Sequence, residues 1–320
     1  VTGVDFCGPF FYRAPVRNRP PIKCYVCLFI CFSTKAVHLE LVGDLSTAAF
    51  LGSLKRFISI RGKPRVIWSD NGTNFVGARN ELAELKQLFM KQTHKNAVHQ
   101  LCLQDGIDWK FIPPRSPHFG GLWEASVKLS KKHLKRAVGL AVLDIDELRT
   151  LVCQVSAIVN SRPLCPISDN CNDLDVLTPA HFLIGEPYTS VAEPDMSAIN
   201  FHRLGKWQRI CFMQQQFWKR WTSEYLTLLQ ERSKWRSSPP NIKIGSIVLI
   251  KDENLPPLKW PLGRVVEAIK GKDDVIRVAV LKTAMGLTKR AVTKLAILPI
   301  DDPVGSQALP TEGACPENTK

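Results

Sequence analysis

Residues 22–42 read IKCYVCLFICFSTKAVHLELV, two β-prone apolar runs joined by a short polar turn at residues 33–35. Upstream, the apolar segment GVDF (residues 3–6) also has strand character. We expect the three segments to form adjacent antiparallel strands. Because side chains alternate between the two faces of a strand, Cys24 and Cys27 would point in opposite directions, and the cysteine spacing does not favour a zinc site.

Helices and further strands alternate after residue 42 in the order α, β, α, β, α, α. The predicted elements are a helix capped by Ser46 or Thr47 and ended by Gly62 and Pro64, a strand over 65–70, a helix over 78–89, a strand over 108–114, a helix from 120 to about 138 and another from 146 to about 161. Together with the first three strands they predict a mixed α/β sheet domain of roughly 165 residues.

The composition changes after Pro163, where short loops rich in Asp, Asn and Pro precede a helical region over about 201–235. A Ser-Ser-Pro-Pro linker ends at Pro240, and short apolar runs separated by turn residues follow it. They predict the strands of a small all-β barrel, namely SIVLIK, GRVVEAI, DVIRVAVL and KRAVTKLAIL. The predicted domains are the α/β core over 1–165, a loop and helical connector over 166–240, the small basic β-barrel over 241–300 and a disordered tail over 301–320.

Lys and Arg outnumber Asp and Glu by 43 to 29, which gives the chain of 320 residues a formal net charge of +14. Residues 201–300 hold 19 of these basic residues and only 7 acidic ones. Such an excess indicates a polyanionic partner, such as nucleic acid.

Other compositional features exclude some classes of protein. A hydrophobic content of 45% excludes disorder of the whole chain, and no window holds the roughly 18 uninterrupted apolar residues of a membrane helix. The ten cysteines lie mostly in apolar runs, which favours free thiols in a reducing compartment over a disulfide scaffold. The chain begins at Val1 rather than Met, and we expect it to be cut from a longer polypeptide.

Three acidic residues stand out by their positions. Asp5 lies on the first predicted strand, Asp70 ends another, and Glu124 lies in the first turn of a helix opened by two glycines. Strand ends and helix starts project side chains towards the open end of a sheet, where a site can form. Taken singly, each acid has the alternative role of a cap or a helix-dipole partner.

The helix of Glu124 gives a joint argument. At about 100° per residue, Glu124, Lys128, Lys131 and Lys135 fall within roughly 60° of arc. A solvated i,i+4 pair would explain Glu124 with Lys128, but it would not explain the two further lysines. A stripe of this kind suits a phosphate backbone whose reactive phosphorus reaches the carboxylate end, where a metal ion would bind.

These residues lie in motifs that resemble a known family. TGVDF (residues 2–6), SDNGTNF (69–75) and FIPPRSPHFGGLWEASVKLSKKHLKR (111–136) resemble the three acidic motifs of retroviral-type integrases, above all those of BEL/Pao long-terminal-repeat retrotransposons. The resemblance implies a ribonuclease-H-like catalytic core followed by a helical linker and a small SH3-like barrel. Two features depart from the retroviral pattern: 53 residues separate Asp70 from Glu124, and no His-His-Cys-Cys module precedes the first motif. The longer spacing is similar to that of BEL/Pao elements, and a truncated N-terminus would account for the missing module.

The resemblance also implies an activity and its residues. Such an integrase is a polynucleotidyl transferase that processes the 3′ ends of element DNA and joins them to target DNA. Asp5, Asp70 and Glu124 would be its catalytic triad and would hold two Mg²⁺ or Mn²⁺ ions, for which hard oxygen ligands are suited. The residues implied to contact DNA around the triad are Asn74 at the rim of the site, Arg115, which could instead cap a helix, Lys128 and Lys131, with Lys135 from the stripe.

The predicted barrel would add a surface that binds DNA without reading its sequence. Its basic residues are Lys251, Lys259, Arg264, Lys270, Lys272, Lys289, Arg290 and Lys294, and the alternative is a solvated β surface. The tryptophans of the helical region are expected to pack helices, or a subunit interface, rather than stack on bases; they are Trp207, Trp218, Trp221 and Trp235. The resemblance further implies double-stranded DNA as partner, a homo-multimer, and a location in the nucleus, preceded by the cytoplasm.

Two other functions remain open on the sequence. The chain could be a domesticated, non-catalytic DNA-binding or chromatin-tethering protein in which the triad survives by descent. It could also be a simple ribonuclease-H-type nuclease, which would leave the basic barrel without a role.

Overall fold

The structure is a computed structural model of the chain. It describes residues 1–16, 18–69, 93, 96, 106–111, 125–139, 142–168, 173–191, 193–230, 242–252, 255–271 and 275–298. Within these ranges no helix is both long and apolar enough to cross a membrane. The predicted helix over 78–89 and the predicted tail over 301–320 lie outside the described residues.

The N-terminal part of the chain forms a mixed five-stranded sheet in the order β3-β2-β1-β4-β5. β1 (Thr2–Tyr12), β2 (Ile22–Cys31) and β3 (Val37–Val42) pair antiparallel, as the sequence predicts. β4 (Val66–Ser69) pairs parallel with β1, and β5 (Asp108–Phe111) pairs parallel with β4. This order and these directions agree with the ribonuclease-H-like core that the sequence predicts.

Alternation along β2 divides the core between the two faces of the sheet. Cys24 belongs to one hydrophobic cluster and Cys27 to the other, so the two thiols point to opposite faces as predicted. α1 (Thr47–Arg61) covers the Cys27 face through Phe50, Leu54 and Phe57. The side chain of its N-cap, Ser46, accepts a hydrogen bond from the Ala49 amide, which confirms the predicted start of this helix.

The Cys24 face is covered by α2 (Ala125–Val138) and α3 (Ile145–Asn160). Asp144 caps α3 in a capping box with Glu147, so the helix begins at Ile145, one residue before the predicted start at Asp146. The buried side of α3 carries Leu148, Leu151, Val155 and Ile158, all fully buried. Their 3- and 4-residue spacing is the reason this segment is a helix that packs on a sheet.

A third long helix, α5 (Lys206–Leu229), lies in the same hydrophobic cluster. Met213, Phe217 and Trp221 are almost fully buried there, against side chains of α2, α3 and the sheet. The sequence places this helix in a connector. In the structure it completes the helical layer over the Cys24 face, because its aromatic stripe packs into the cluster formed by α2, α3 and the sheet.

Between α3 and α5 the chain forms short elements, namely β6 (Cys165–Pro166), β7 (Val176–Leu177), α4 (His181–Ile184) and a 3-10 turn (Phe201–Arg203). After α5 comes a second five-stranded sheet in the order β11-β10-β9-β8-β12. Its strands are β8 (Ile247–Ile250), β9 (Leu262–Lys270), β10 (Ile276–Thr283), β11 (Gly286–Ala291) and β12 (Leu295–Ile297).

All neighbouring pairs in this C-terminal sheet are antiparallel. The segment KRAVTKLAIL, predicted as one strand, is divided by a 3-10 turn over Val292–Lys294 into β11 and β12, which lie at opposite edges of the sheet. The antiparallel sheet agrees with the all-β prediction for this region. Its closure into an SH3-like barrel stays a prediction.

Candidate active site

Asp5 lies in the middle of β1, hydrogen-bonded into the sheet opposite Leu28 of β2. Its side chain keeps 25% of its accessible surface, and its Oδ1 atom accepts a hydrogen bond of 2.7 Å from the Phe6 amide. A carboxylate at this position is held by a central strand and still reaches solvent. It is therefore placed to bind a cation.

The parallel pairing of β1 with β4 brings a second chain segment to the same level. Val4 lies opposite Ser69, the last residue of β4. Asp5 therefore follows Val4 on one strand, while Asp70 follows Ser69 in the sequence. Asp70 itself lies outside the described residues.

A cation does contact Asp5, and it comes from α2. The Lys131 ammonium group donates a hydrogen bond to Oδ2 of Asp5. The helix is held close to β1 at this point, since the thiol of Cys7 lies 3.7 Å from the Lys131 carbonyl oxygen. Sheet and helix thus bring together two residues 126 positions apart in the chain.

The Lys131 side chain has an unusual electrostatic environment. Burial, and then the neighbouring Lys135 ammonium, lower the pKa of Lys131 to about 7. The Asp5 carboxylate favours the charged form and so opposes both effects. Lys128 and Lys135 lie on the same helix and are exposed. One side of α2 therefore carries a lysine over the Asp5 carboxylate and two lysines in solvent.

A different side of α2 faces α5. Glu224 of α5 lies 2.7 Å from the Lys132 ammonium, 3.3 Å from Nε2 of His133 and 4.0 Å from the Arg136 guanidinium. The hydrogen bond from Lys132 is the main reason that the pKa of Glu224 is lowered. Burial lowers the pKa of His133, whose ring is neutral at pH 7 as a result. Glu224 thus offsets positive charge on this side of the helix alone.

Sequence reasoning missed Glu224. The residue is 92 positions from Lys132, and only the packing of α5 on α2 reveals the contact. The spacing of the buried residues Trp218, Trp221 and Tyr225 does indicate which side of α5 faces the core. Nothing in the sequence indicates that this side meets α2.

The predicted site residues fall into three groups. The structure brings Asp5 and Lys131 together and places Lys128 and Lys135 on the same helix. The predicted residues outside the described part of the chain are Asp70, Asn74, Arg115 and Glu124. In the C-terminal sheet region, Lys251 is half-buried beside β8, and Lys289 and Arg290 are exposed on β11.

Arg264 differs from the prediction of an exposed, DNA-contacting side chain. It is only 5% exposed, and its guanidinium donates hydrogen bonds to the carbonyl oxygens of Gly245, Ser168 and Asp173. A buried guanidinium needs such acceptors to offset the loss of water. Arg264 therefore fixes the loop between β6 and β7 to the C-terminal sheet.

The Asp5 carboxylate supplies hard oxygen atoms, the ligand type that suits Mg²⁺ or Mn²⁺, and in the structure it pairs with the Lys131 ammonium group. Within the ranges that the structure describes, no group of three or more His, Cys, Asp or Glu side chains is placed to hold a metal ion. Asp5 is the one member of the predicted triad that belongs to those ranges.

A family profile described as "Family of unknown function (DUF5641)" matches residues 205–298, which span α5 and the C-terminal sheet. No curated protein matches the chain in sequence.

Solved structures similar to the chain include three from retroviruses. A chain of the simian T-cell lymphotropic virus intasome, in complex with PP2A regulatory subunit B56 gamma, is 13% identical, with 94% of this chain and 78% of that chain covered and a TM-score of 0.36. The HTLV-2 integrase catalytic core domain in complex with magnesium is 15% identical and has a TM-score of 0.34. The match covers 57% of this chain and 94% of that chain. The catalytic core domain of BIV integrase is 14% identical and has a TM-score of 0.35. The match covers 57% of this chain and 93% of that chain. Because all three TM-scores are low, the fold is assigned from the order and the directions of the strands in the core sheet.

Proposed function

We propose that the chain is a metal-dependent polynucleotidyl transferase of the integrase type, which processes the 3′ ends of retrotransposon DNA and joins them to target DNA. The observation that carries the proposal is the contact between Asp5 on the central strand β1 and Lys131 on the cationic helix α2. It places a metal-binding type of side chain next to a phosphate-binding type of side chain, and both belong to integrase-like sequence motifs.

Asp5, Asp70 and Glu124 are proposed to hold two Mg²⁺ or Mn²⁺ ions. When bound, such ions polarise the phosphoryl group and lower the pKa of the attacking hydroxyl. Asp5 contributes a carboxylate fixed by the β1–β2 ladder and by the Phe6 amide. Oδ1 accepts that amide bond and Oδ2 accepts from Lys131, so a metal ion at Oδ2 would take the place of the Lys131 ammonium group.

Lys128, Lys131 and Lys135 are proposed to bind the phosphate backbone of the element's terminal DNA. Phosphate contacts of this kind position a duplex without reading its sequence. Asp5 and Glu224 each offset one positive charge of α2, and Lys128 and Lys135 remain exposed on the stripe for a polyanion.

The C-terminal sheet is proposed to bind the DNA backbone as well. Lys289 and Arg290 are exposed on the edge strand β11, and Lys251 is half-buried beside β8. Counterion release from such contacts gives affinity for any duplex. A homo-multimer that acts in the nucleus after passing through the cytoplasm completes the proposal.

The test is a DNA-joining assay with a labelled duplex, Mg²⁺ or Mn²⁺, and the variants Asp70→Asn and Glu124→Gln. We expect joining to be lost in both, with duplex binding largely kept, since neither substitution removes a cation. Asp146→Asn is the matched control, because Asp146 is a carboxylate on α3 with 82% of its side chain exposed.

Other outcomes decide against the proposal. Full joining in either triad variant would show that the triad assignment is wrong. A wild-type chain that binds duplex DNA but neither cuts nor joins it would support the non-catalytic, tethering function. Cleavage without joining would support a simple nuclease.

A further inference from the structure

Four consecutive residues, beginning with the last residue of α3, make contacts with the core sheet, α5 and the C-terminal part of the chain. We call residues 160–163 the junction. Asn160, which is buried, closes the free edge of β3: its Oδ1 accepts a 2.8 Å hydrogen bond from the Val37 amide, and its Nδ2 donates a 2.7 Å bond to the Val37 carbonyl oxygen. Arg162 is fully buried and donates to the carbonyl oxygens of Val159 and Lys35, at 2.6 and 2.9 Å. These two residues fix the junction to the core sheet.

The other two junction residues face the C-terminal part of the chain. The hydroxyl oxygen of Ser161 accepts a 3.1 Å hydrogen bond from Nε1 of Trp260, which lies just before β9. The carbonyl oxygen of Pro163 accepts a 3.0 Å bond from the Tyr225 hydroxyl of α5. The junction therefore joins the core sheet, α5 and the C-terminal sheet within four residues.

Trp260, like Leu229, packs against two hydrophobic clusters. Its ring lies edge-on to the rings of Trp218, Trp221 and Tyr225, with centroids 4.9, 5.9 and 5.7 Å apart. It packs against the core cluster under α5 and also against the cluster that contains Leu249 of β8. Edge-on aromatic contacts are directional as well as apolar, so the ring fixes an orientation.

The last turn of α5 adds a second contact with the C-terminal sheet. Leu226 packs with Ile247 and Leu249 of β8. Nε2 of Gln230, the C-cap of the helix, donates to the carbonyl oxygens of Thr293 and Leu295 at 3.0 and 2.9 Å. This contact covers the start of β12, which is an edge strand. Together with the Trp260 contacts, it leaves the C-terminal sheet bound to the core on two sides.

We propose that Trp260 and the junction hold the C-terminal sheet in one fixed position on the core, with Trp260 as the positioning residue. The segment 205–298, matched by a family of unknown function, then has a structural role: its helix completes the core and its sheet is carried by that helix. A further consequence rests on the proposed function: the cations of β11 and of α2 form a DNA-binding surface of constant spacing. A fixed arrangement avoids the entropic cost of ordering a tethered module when DNA binds.

The first experiment tests the docking without DNA. A specific protease site is inserted between Ser238 and Pro239 of the full chain, which is then cut and passed through gel filtration at low protein concentration. We expect the two fragments to elute together. After Trp260→Ala we expect them to elute separately. Trp207→Ala is the matched control, because Trp207 lies on the same helix α5 and is 57% exposed, and its fragments should stay together.

A second variant keeps the test decisive if Trp260→Ala does not fold. Trp260→Phe retains an aromatic ring but loses the N–H group that donates a hydrogen bond to Ser161. We expect a fraction of the cut molecules to elute as separate fragments. Separation of the wild-type fragments, or full co-elution after both substitutions at Trp260, would overturn the proposal.

The second experiment tests the consequence for DNA. The probe is a blunt duplex of roughly 30 base pairs, about 100 Å long. We expect Trp260→Ala in the uncut chain to weaken binding about tenfold, because the C-terminal sheet becomes a tethered module, while Trp207→Ala leaves the Kd unchanged. If the fragments co-elute but the wild-type chain binds no duplex, the docking stands and the proposed function is wrong. If Trp260→Ala separates the fragments and the Kd is unchanged, the fixed DNA surface is wrong.

Discussion

The ammonium group of Lys131 on α2 contacts the carboxylate of Asp5 on the central strand β1. The neighbouring lysine in the sequence, Lys132, points instead to Glu224 on α5. Two adjacent residues of the same type thus have different partners, one at the candidate active site and one at a helix contact. This difference gives a matched pair for mutagenesis.

We expect Lys131→Met to lower DNA joining by roughly tenfold to a hundredfold, since a hydrogen bond from a charged donor to the DNA backbone contributes about 1.5–3 kcal/mol. Lys132→Met should lower it much less, because Lys132 contacts Glu224. The first measurement is the joining rate. The second is the slope of log K for duplex binding against the logarithm of the salt concentration, which Lys131→Met should reduce in magnitude by about 1. Equal losses in the two variants would show that Lys131 acts only by its charge on the helix.

Trp221→Ala should destabilise the whole chain by about 3–5 kcal/mol, since the ring is fully buried and stacks between Phe217 and Tyr225. Trp207→Ala should change the free energy of unfolding by less than about 0.5 kcal/mol, because that side chain is mostly exposed. Denaturant unfolding followed by circular dichroism measures both. A loss in Trp221→Ala confined to the C-terminal part would contradict the placement of α5 in the core.

Arg264→Leu should destabilise the C-terminal sheet by about 2–4 kcal/mol, because three carbonyl oxygens lose a buried donor. It should leave the salt slope of DNA binding unchanged at temperatures where the chain is folded. Arg290→Met should do the opposite, with unchanged stability and a salt slope reduced by about 1. Thermal unfolding and fluorescence anisotropy separate the two effects. A reduced slope in folded Arg264→Leu would return Arg264 to the DNA-binding surface.

Thiol reactivity should follow the environments of the described cysteines. Burial raises the pKa of Cys31, but hydrogen bonds from Thr34 and Ser33 outweigh it, so that the pKa is lowered overall. Burial raises the pKa of Cys153 and raises that of Cys27 to about 12. Since the thiolate reacts, labelling at neutral pH should modify Cys31 before Cys153 and leave Cys27 unmodified.

The pH dependence has a defined sign. Labelling of Cys31 should reach half its maximal rate at a lower pH than labelling of Cys153, and Thr34→Ala should move the Cys31 profile to higher pH. Iodoacetamide labelling followed by peptide mass spectrometry measures each site. Faster labelling of Cys153 than of Cys31 at every pH would show that the hydrogen bonds do not hold the thiolate.

The core sheet could be predicted from the sequence because short stretches of apolar and turn residues indicate its strands. β2 is a continuous apolar run, β3 follows it after one turn, and Ser46 is a recognisable N-cap. Such signals depend on neighbours a few residues away. The edge strands of the C-terminal sheet were harder to predict: KRAVTKLAIL reads as one strand, whereas a 3-10 turn over Val292–Lys294 separates β11 from β12, which lie at opposite edges of the sheet.

The contacts that organise the molecule could not be predicted, because they join residues far apart. Arg264 looks like any basic residue of a strand, yet its partners Ser168 and Asp173 lie 96 and 91 positions earlier. Glu224 shows the same limit. For the candidate site, spacing on α2 indicated which lysines share a side of the helix, and the fold supplied the contact with Asp5.

The junction at residues 160–163 has a consequence for the order in which the chain can fold as a ribosome makes it. Its partners in residues 35–37 are synthesised first, so that half of the junction can form as soon as α3 has emerged. Tyr225 and Trp260 are made 62 and 99 positions after the residues they contact. The core sheet can therefore close before the C-terminal sheet exists, and a nascent chain stopped near residue 200 would expose the apolar surface that α5 later covers.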